Sequence, residues 1–263
     1  MEDLTPLAAV LAGVFGLLLG SFANVLIHRI PLGESVVRPA SRCPRCGRAI
    51  RPGENIPVIS WLWLRGRCAG CRAPISGRYP LVELATGIAF FLVVLLAGLT
   101  FESLIGLALV YFGIVLSAID LEHHRLPNAL TSAYAIVTAV TVLTAGVVTG
   151  SWDSSLRALV GAVALGLIYG LAFVIYPRGM GLGDVKLAPT IGAALGFLGW
   201  PVLIVGAFAA FLWGAIAGVV AMSRQRQRKG VGIPFGPWMF VGALTGILMG
   251  DVIADWYLGL MGF

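Results

Sequence analysis

The sequence Gly179-Met180-Gly181-Leu182-Gly183-Asp184-Val185-Lys186-Leu187 joins two strongly apolar segments. It carries three glycines and one carboxylate where an apolar segment ends. Transfer of an aspartate to the centre of a membrane helix costs roughly 2.5–3.5 kcal/mol on insertion scales. An acid beside such a segment is therefore either a solvated loop residue or part of a functional site. A second acid, Asp120, stands at a matching boundary in Ser117-Ala118-Ile119-Asp120-Leu121, which favours the functional interpretation.

The composition is that of a polytopic membrane protein. Of 263 residues, 59% are hydrophobic and 11% are charged, with a mean hydropathy of +0.94, whereas soluble domains carry about 25% charged residues. The net charge is +6, and ten of the eighteen Lys/Arg lie between Arg29 and Arg78. The positive-inside rule and contact with anionic lipids of the bilayer explain a basic block beside membrane spans, so we expect no nucleic-acid partner.

Apolar runs predict about eight transmembrane helices. The predicted spans are 4–27, 81–99, 103–119, 129–148, 156–176, 187–198, 201–222, and one that begins at 232 and ends near 250, before an acidic, amphipathic tail. The first run is expected to be retained, because it lacks a basic leader and a small-residue cleavage site. Its acidic and basic flanks place the N-terminus outside and Arg29 in the cytoplasm. This topology puts 17 of the 18 Lys/Arg on the cytoplasmic side, with Arg157 as the exception, and puts Asp120 and Asp184 at the same surface.

Residues 28–80 form the one sizeable segment outside the predicted spans, and they contain all four cysteines. The cysteines are arranged as Cys43-Pro44-Arg45-Cys46 and Cys68-Ala69-Gly70-Cys71, with 21 residues between the pairs. Two such hairpins complete a tetrahedral four-sulfur site, which indicates zinc, or iron in its place, in a closed structural role. Two disulfides are the alternative, but the cytoplasmic side predicted for this basic loop argues against them.

Polar residues near the ends of the first two spans have plainer interpretations. Ser21 and Asn24 share a helix face, and we expect them to hydrogen-bond to a neighbouring helix, with a role in lining a site as the alternative. Glu83 is expected to be a solvated boundary acid, with lining of a cavity as the alternative. The adjacent His123 and His124 are not expected to bind a metal, since neighbouring helix side chains point about 100° apart.

Two carboxylates that share a site hold one proton between them, because both cannot ionise cheaply. The ionised group takes a proton from water while the protonated one donates to an amide carbonyl. Asp120 and Asp184 therefore predict aspartic-protease chemistry, without a catalytic metal or a covalent intermediate. The glycines before Asp184 allow an extended substrate backbone to approach closely.

The chain resembles the type IV prepilin peptidases, which are bacterial GxGD-type aspartyl proteases of the inner membrane. The matching motifs occur in the family's order along nearly the whole chain: Gly20–Val25 with Arg29 and Pro31, the two cysteine pairs, Asn55–Pro57 with Ser60 and Trp61, Ile75 and Ser76, Arg78–Pro80, Glu83, Ile119 and Asp120, Leu126 and Pro127, residues 179–187, and Pro234–Pro237. One departure is Asn128, where many members have an aspartate. An amide there keeps the hydrogen bonding and loses the charge.

This resemblance implies that Asp120 and Asp184 are the catalytic pair and that prepilins or pseudopilins are the substrates. Such precursors carry a short basic leader in the cytoplasm and an apolar helix in the membrane, and they are cut between a glycine and usually a phenylalanine. The four-cysteine loop further implies N-methylation of the new amino terminus with S-adenosylmethionine, although no Gly-rich Rossmann-type loop marks a site for this donor.

The predicted domains are a first transmembrane helix (1–27), a cytoplasmic zinc-binding loop domain (28–80) and a membrane-embedded peptidase domain (81–263) in the bacterial inner membrane. Alternatives are a peptidase without methyltransferase activity, a non-catalytic membrane scaffold and a transporter. A transporter predicts charges deeper in the spans and a half-to-half repeat, and the sequence has neither. Lys186 is interpreted as a positive-inside anchor, with a lowered pKa of an adjacent carboxylate as the alternative role. The pilin substrate, the pathway, the methyltransferase residues and the oligomeric state are not specified by the sequence.

Overall fold

The computed structural model describes residues 4–177, 179–225 and 234–262, apart from the side chains of Arg224 and Gln225. These residues form the helices α1 (Thr5–Arg29), α2 (Ile59–Trp63), α3 (Arg78–Ala97), α4 (Phe101–His123), α5 (Asn128–Thr149), α6 (Asp153–Ile175), α7 (Leu182–Leu198), α8 (Trp200–Gln225) and α9 (Gly236–Met261). Arg178 and residues 226–233 lie outside the described residues. Residues 226–233 include the predicted cytoplasmic cations Arg226, Arg228 and Lys229 and the predicted start of the last span.

The predicted all-α fold of a multi-pass membrane protein is confirmed. Seven of the described helices, α1, α3 to α6, α8 and α9, are long and apolar enough to cross a membrane. The eighth predicted span corresponds to α7, which has 17 residues. Within the described residues, β-structure is limited to two isolated bridges, Arg42 with Ala49 and Arg67 with Pro74. The four cysteines cluster in the loop between α1 and α3.

Most helix ends differ from the predicted spans by one to three residues, and three helices extend four or more residues beyond the predicted apolar run. Helix α4 continues through Asp120 to His123, so Asp120 lies near the end of a helix and not at the start of a loop. Helix α7 begins at Leu182, so Asp184 lies in its first turn. Helix α9 runs to Met261 instead of ending near residue 250. In each case the helical backbone continues past the apolar run, because polar side chains near water are compatible with helical hydrogen bonding.

The chain forms two compact units, residues 1–103 and 104–263. The first contains α1, α2, α3 and the cysteine loop, and the second contains α5 to α9 with nearly all of α4. The predicted division into 1–27, 28–80 and 81–263 assigns α3 to the peptidase domain instead, and it stays a prediction.

In the first unit, α1 packs along α3 through the spacing Gly16-x-x-x-Gly20. A Cβ atom at Gly20 would lie 2.7 Å from Cα of Glu83, and one at Gly16 would lie 2.8 Å from Cβ of Phe90. Small residues at this spacing let two membrane helices approach closely and gain packing contacts. The close approach brings the polar side chains near the end of α1 against the start of α3.

Helix α7 is at the centre of the second unit. Helices α5, α6, α8 and α9 pack against it, and ten of its 17 residues are buried. It lies close to α6 because Gly161 faces the backbone of Gly192, and Gly196 faces the backbone of Arg157. Helices α8 and α9 approach in the same way through Gly242-x-x-x-Gly246. Helix α7, whose first turn carries Asp184, is therefore held by neighbouring helices on several sides.

Candidate active site and metal centre

The fold brings the two predicted acids together in the second unit. Asp120, near the end of α4, is 5% exposed, and Asp184, in the first turn of α7, is 6% exposed. Their carboxylates are close enough to interact electrostatically. Leu126 packs beside both sites: a Cβ atom at Gly183 would lie 2.9 Å from Cβ of Leu126, and one at Gly236 would lie 3.2 Å from its Cδ2. Two buried acids therefore share one environment although they are 64 residues apart in sequence.

Each carboxylate accepts one backbone hydrogen bond. The N–H of Gly181 donates to Oδ2 of Asp184 at 3.3 Å, which is the local contact expected of an acid at the third position of a helix. The N–H of Gly236 donates to Oδ2 of Asp120 at 3.1 Å and joins residues 116 positions apart. Sequence reasoning missed the role of Gly236. The available signal was a glycine followed by Pro237 at the start of an apolar span.

An aromatic cluster fixes the backbone that carries this N–H group. The rings of Tyr169, Phe211 and Phe235 pack with centroids 5.2 to 6.0 Å apart. Phe235 directly precedes Gly236, and a Cβ atom at Gly214 would lie only 2.5 Å from its ring. The ring therefore has little room to move, and the Gly236 N–H is held in a defined position toward Asp120.

Lys186 hydrogen-bonds to an asparagine at the start of α5. Its exposed Nζ donates to Oδ1 of Asn128 at 3.0 Å. This hydrogen bond joins the first residue of α5 to the first turn and a half of α7. Asn128, the residue that departs from the family's pattern, thus serves as the acceptor for this lysine.

The four cysteines form a cluster in the first unit. Their sulfur atoms all lie within 4.8 Å of one another, and Sγ of Cys43 is 3.8 Å from Sγ of Cys71. Tetrahedral zinc with Zn–S bonds of about 2.3 Å separates its sulfur ligands by about 3.8 Å, whereas a disulfide joins them at about 2.05 Å. Backbone N–H groups of Cys46 and then Arg45 lower the pKa of Cys43 to about 6, which favours one thiolate in the cluster. The backbone of Ala73 lowers the pKa of Cys71, but burial and the other three cysteines outweigh it and raise that pKa to about 11. The arrangement fits a metal ion.

The two cysteine pairs share one backbone conformation. In each, the first cysteine donates its N–H to the carbonyl five residues later, at 2.9 Å for Cys43 and 2.8 Å for Cys68. The residue four positions after that cysteine has a positive φ, +69° at Gly47 and +60° at Arg72. An ion pair of 2.6 Å between Arg48 and Glu54 ties the first pair to the turn that follows and lowers the pKa of Glu54. The loop is therefore built from two similar cysteine-bearing turns.

Glu83 is buried, so the prediction that it is a solvated boundary acid is wrong, and the alternative that it lines a cavity agrees with the structure. It is 8% exposed, and its Oε2 accepts the backbone N–H of Val58 at 2.7 Å. Nearby, Nδ2 of Asn24 donates to the carbonyl of Tyr79 on α3 at 3.1 Å, as predicted for a bond to a neighbouring helix. The loop folds back over Glu83 and supplies a partner that the sequence pattern did not reveal.

Comparison with known proteins identifies the family. The model of the Bacterial Peptidase A24 N-terminal domain matches residues 14–97, and that of the Type IV leader peptidase family matches residues 107–222. A protein of Stutzerimonas stutzeri named "Prepilin leader peptidase/N-methyltransferase" is 37% identical over 96% of this chain and 95% of its own length. The chain belongs to the type IV leader peptidase family. Asp120 and Asp184 lie within the region that matches the family model, and the cysteines lie within the N-terminal match.

Relatives with the same name occur in other bacteria. The Pseudomonas aeruginosa protein is 35% identical over 98% of this chain and 96% of its own length. The Myxococcus xanthus protein is 40% identical over 82% of this chain and 64% of its own length. No solved structure matches the chain. The family membership therefore rests on full-length sequence similarity.

Proposed function

We propose that the chain is a bifunctional enzyme of the bacterial inner membrane. It cleaves the leader peptide of prepilins and pseudopilins at the cytoplasmic face with Asp120 and Asp184, and it then N-methylates the new amino terminus. The observation that carries the proposal is the buried pair of acids where α4 ends and α7 begins. The name shared by its relatives, prepilin leader peptidase/N-methyltransferase, supports both activities.

Peptide cleavage follows from one proton shared by the two carboxyl groups. The ionised carboxylate takes a proton from water, and the water oxygen bonds to the carbonyl carbon of the scissile peptide. The protonated carboxyl group donates its proton to the carbonyl oxygen, which gives a tetrahedral diol. The C–N bond then breaks as the nitrogen takes a proton, leaving a leader with a new carboxyl group and a mature chain with a free amine. Because the acids interact, the proton belongs to the pair and not to one residue.

The backbone supplies the orientation that this chemistry needs. The N–H groups of Gly181 and Gly236 each hold one oxygen, Oδ2, of Asp184 and Asp120 respectively. These two bonds leave the Oδ1 atoms for water and substrate. Because Asp120 and Asp184 are buried, the dielectric constant around them is lower than that of water, and the electrostatic interaction between their carboxyl groups is stronger.

The cytoplasmic side of the active site is part of this proposal. Arg29 to Arg78 and most of the other cations fall on one side of the predicted topology, as the positive-inside rule requires. The acids lie near the ends of α4 and α7 and not at mid-helix. This is the depth at which the basic leader of a precursor meets its apolar helix.

Two groups would assist the enzyme. Cys43, Cys46, Cys68 and Cys71 would hold Zn2+, and a four-sulfur set leaves no open position, so its role is structural. S-adenosylmethionine, when bound, supplies a methyl group activated on a sulfonium. The chain's own part is to hold the newly released amine of the mature pilin near that methyl group.

Mass spectrometry of a processed pilin tests both halves of the proposal. Purified protein is incubated with a prepilin and S-adenosylmethionine, and the N-terminal peptide is sequenced. We expect loss of the leader and one methyl group on the new N-terminal residue. A cleaved but unmethylated product would reduce the function to a peptidase, and an uncleaved product would leave only a membrane scaffold.

A further inference from the structure

The first unit contains a large cavity, lined by apolar and polar side chains, between the cysteine loop, the end of α1 and the start of α3. Its volume is about 910 Å³, and its lining includes Ser21, Asn24, Arg42, Trp61, Tyr79 and Glu83. Pockets for small molecules and cofactors usually have volumes of about 300–1,000 Å³. The cavity is therefore large enough for a nucleoside-sized ligand, and the peptidase chemistry described above does not use it.

Acceptor oxygens lie at the buried end of this cavity. Glu83 is 8% exposed and Asn24 is 6% exposed. The amide nitrogen of Asn24 already donates to the carbonyls of Gly20 and Tyr79, at 3.3 and 3.1 Å, which leaves its oxygen as the remaining polar atom. A carboxylate and an amide oxygen together suit a ligand that carries positive charge or hydroxyl groups.

Strained backbone holds Glu83 in place. Its Oε2 accepts the N–H of Val58, which has φ +62° and ψ −49°. The N–H of Ile59 donates to the carbonyl of Pro57 at 2.6 Å, so Val58 is the centre of a γ-turn of the rare, strained hand. A positive φ is unfavourable for a β-branched residue, and such strain is concentrated at ligand-binding and catalytic sites. The loop thus keeps an unfavourable conformation at the point where it meets the buried acid.

Cations line the open part of the cavity. Arg29 and Arg48 line it but are occupied, the first by the carbonyls of Ser35 and Pro39 and the second by Glu54. Three further arginines line it with exposed side chains, and within the described residues their guanidinium groups have no hydrogen-bond or ion-pair partner: Arg38, Arg42 and Arg45. These groups are available to a carboxylate.

We propose that this cavity binds the methyl donor, S-adenosylmethionine. The donor carries a sulfonium, an ammonium, ribose hydroxyls, a carboxylate and a flat base. The acceptors Glu83 and Asn24 suit its cationic and hydroxyl groups, the arginines suit its carboxylate, and Trp61 supplies an aromatic surface. The leader peptide of a precursor is the less suitable occupant, because its basic residues would be repelled by the arginines. The inference rests on the methyl transfer proposed above and assigns a site to it.

Direct binding of the donor tests the inference independently of turnover. Full-length protein in phosphatidylcholine nanodiscs is titrated with S-adenosylmethionine by calorimetry, and ultraviolet crosslinking of the radiolabelled donor is mapped by peptide sequencing. We expect Glu83→Gln and Arg42→Gln to weaken donor binding at least about tenfold, since each removes a charged contact. The crosslink is expected on Trp61 or Tyr79.

The chain offers a matched control for Arg42. Arg67 precedes Cys68 as Arg42 precedes Cys43, and the two arginines form equivalent backbone bridges, but Arg67 does not line the cavity. Arg67→Gln is expected to bind the donor as wild type does. Metal content and thermal unfolding report whether each variant folds. If Glu83→Gln fails to fold, the exposed Arg42 decides the question.

The outcomes separate this inference from the proposed function. If wild type binds the donor and methylates a prepilin while both cavity variants bind it equally well, the donor site is elsewhere and this inference alone is overturned. If wild type cleaves prepilin but neither binds the donor nor methylates the product, the methyl-transfer half of the proposed function is overturned together with the inference.

Discussion

The N–H of Gly236 donates to Oδ2 of Asp120 at 3.1 Å, so the first residue of α9 holds an acid near the end of α4. This hydrogen bond joins α4 and α9, the first and last helices of the second unit. Phe235, packed against Tyr169 and Phe211, fixes the approach of the donor. The two candidate catalytic acids are thus oriented by backbone groups whose own positions depend on packing.

Replacing Gly236 by alanine should impair catalysis more than substrate binding. A Cβ atom there would lie 2.8 Å from Oδ2 of Asp120, so the carboxylate must shift. A displacement of about 1 Å costs on the order of a hundredfold in rate when it misplaces a reacting group. We expect kcat for prepilin cleavage to fall about 10- to 100-fold with KM nearly unchanged, as measured by a gel-based cleavage assay.

Gly259 provides the matched control on the same helix. A Cβ atom at Gly259 would meet nothing within 4 Å, so Gly259→Ala should cleave at the wild-type rate. A Gly236→Ala enzyme with wild-type kcat would show that this backbone contact does not orient Asp120.

Adding a side chain where α6 packs closely against α7 should lower the stability of the protein. Gly161 faces the carbonyl of Gly192, so Gly161→Ala must push the helices apart. Overpacking of this kind typically destabilises a fold by about 1–3 kcal/mol. Gly170→Ala on the same helix meets nothing within 4 Å and should be neutral or slightly stabilising. Thermal unfolding in detergent compares the two variants, and equal melting temperatures would contradict the packing described for these helices.

Substitutions at equivalent positions of the two cysteine-bearing turns should have opposite effects on metal binding. Gly47 and Arg72 both have positive φ, which is unfavourable by roughly 1–2 kcal/mol for a residue with a side chain. Gly47→Ala should therefore weaken metal binding several-fold, and Arg72→Gly should leave it unchanged or strengthen it, because metal affinity is coupled to folding of the loop. Competition with a chelator measures both affinities. A shift in the same direction for both variants would argue against equivalent turns.

Metal analysis tests the cysteine centre itself. We expect one zinc per chain, and cysteines that resist alkylation until a chelator removes the metal. The reason is that all four sulfur atoms lie within 4.8 Å of one another, as ligands of one ion do. Replacement of any one cysteine by serine should lower the zinc content. Protein without zinc that also lacks free thiols after denaturation would instead contain two disulfides.

Most of the fold could be predicted from the sequence, because a helix that crosses a membrane needs a long run of apolar residues. Runs such as 129–148 and 201–222 predicted α5 and α8 to within a few residues. The helix ends were less predictable. Asp120 follows one apolar run and Asp184 precedes another, yet both lie within helices. Hydropathy shows where a segment prefers the membrane, and it does not show where helical hydrogen bonding stops. The close pairing of α1 with α3 was readable from Gly16-x-x-x-Gly20.

The contacts that orient side chains were not predictable in the same way. The bond from Gly236 to Asp120 spans 116 residues, and no local pattern encodes such a distance. The burial of Glu83 depends on a strained turn at Val58, a residue whose β-branched side chain favours extended backbone. Composition and spacing predicted which residues carry chemistry, whereas the contacts that hold those residues come from tertiary packing.

The role of the acid pair is tested most directly by prepilin cleavage with Asp120→Asn and Asp184→Asn. Each change nearly preserves shape and removes the shared proton. The exposed Asp251, on α9, supplies the control Asp251→Asn, and zinc content checks folding. We expect each active-site variant to lose at least about a thousandfold in cleavage rate, as groups that act as a unit do, while the control cleaves normally. Cleavage at the wild-type rate by either active-site variant would contradict the aspartyl peptidase assignment.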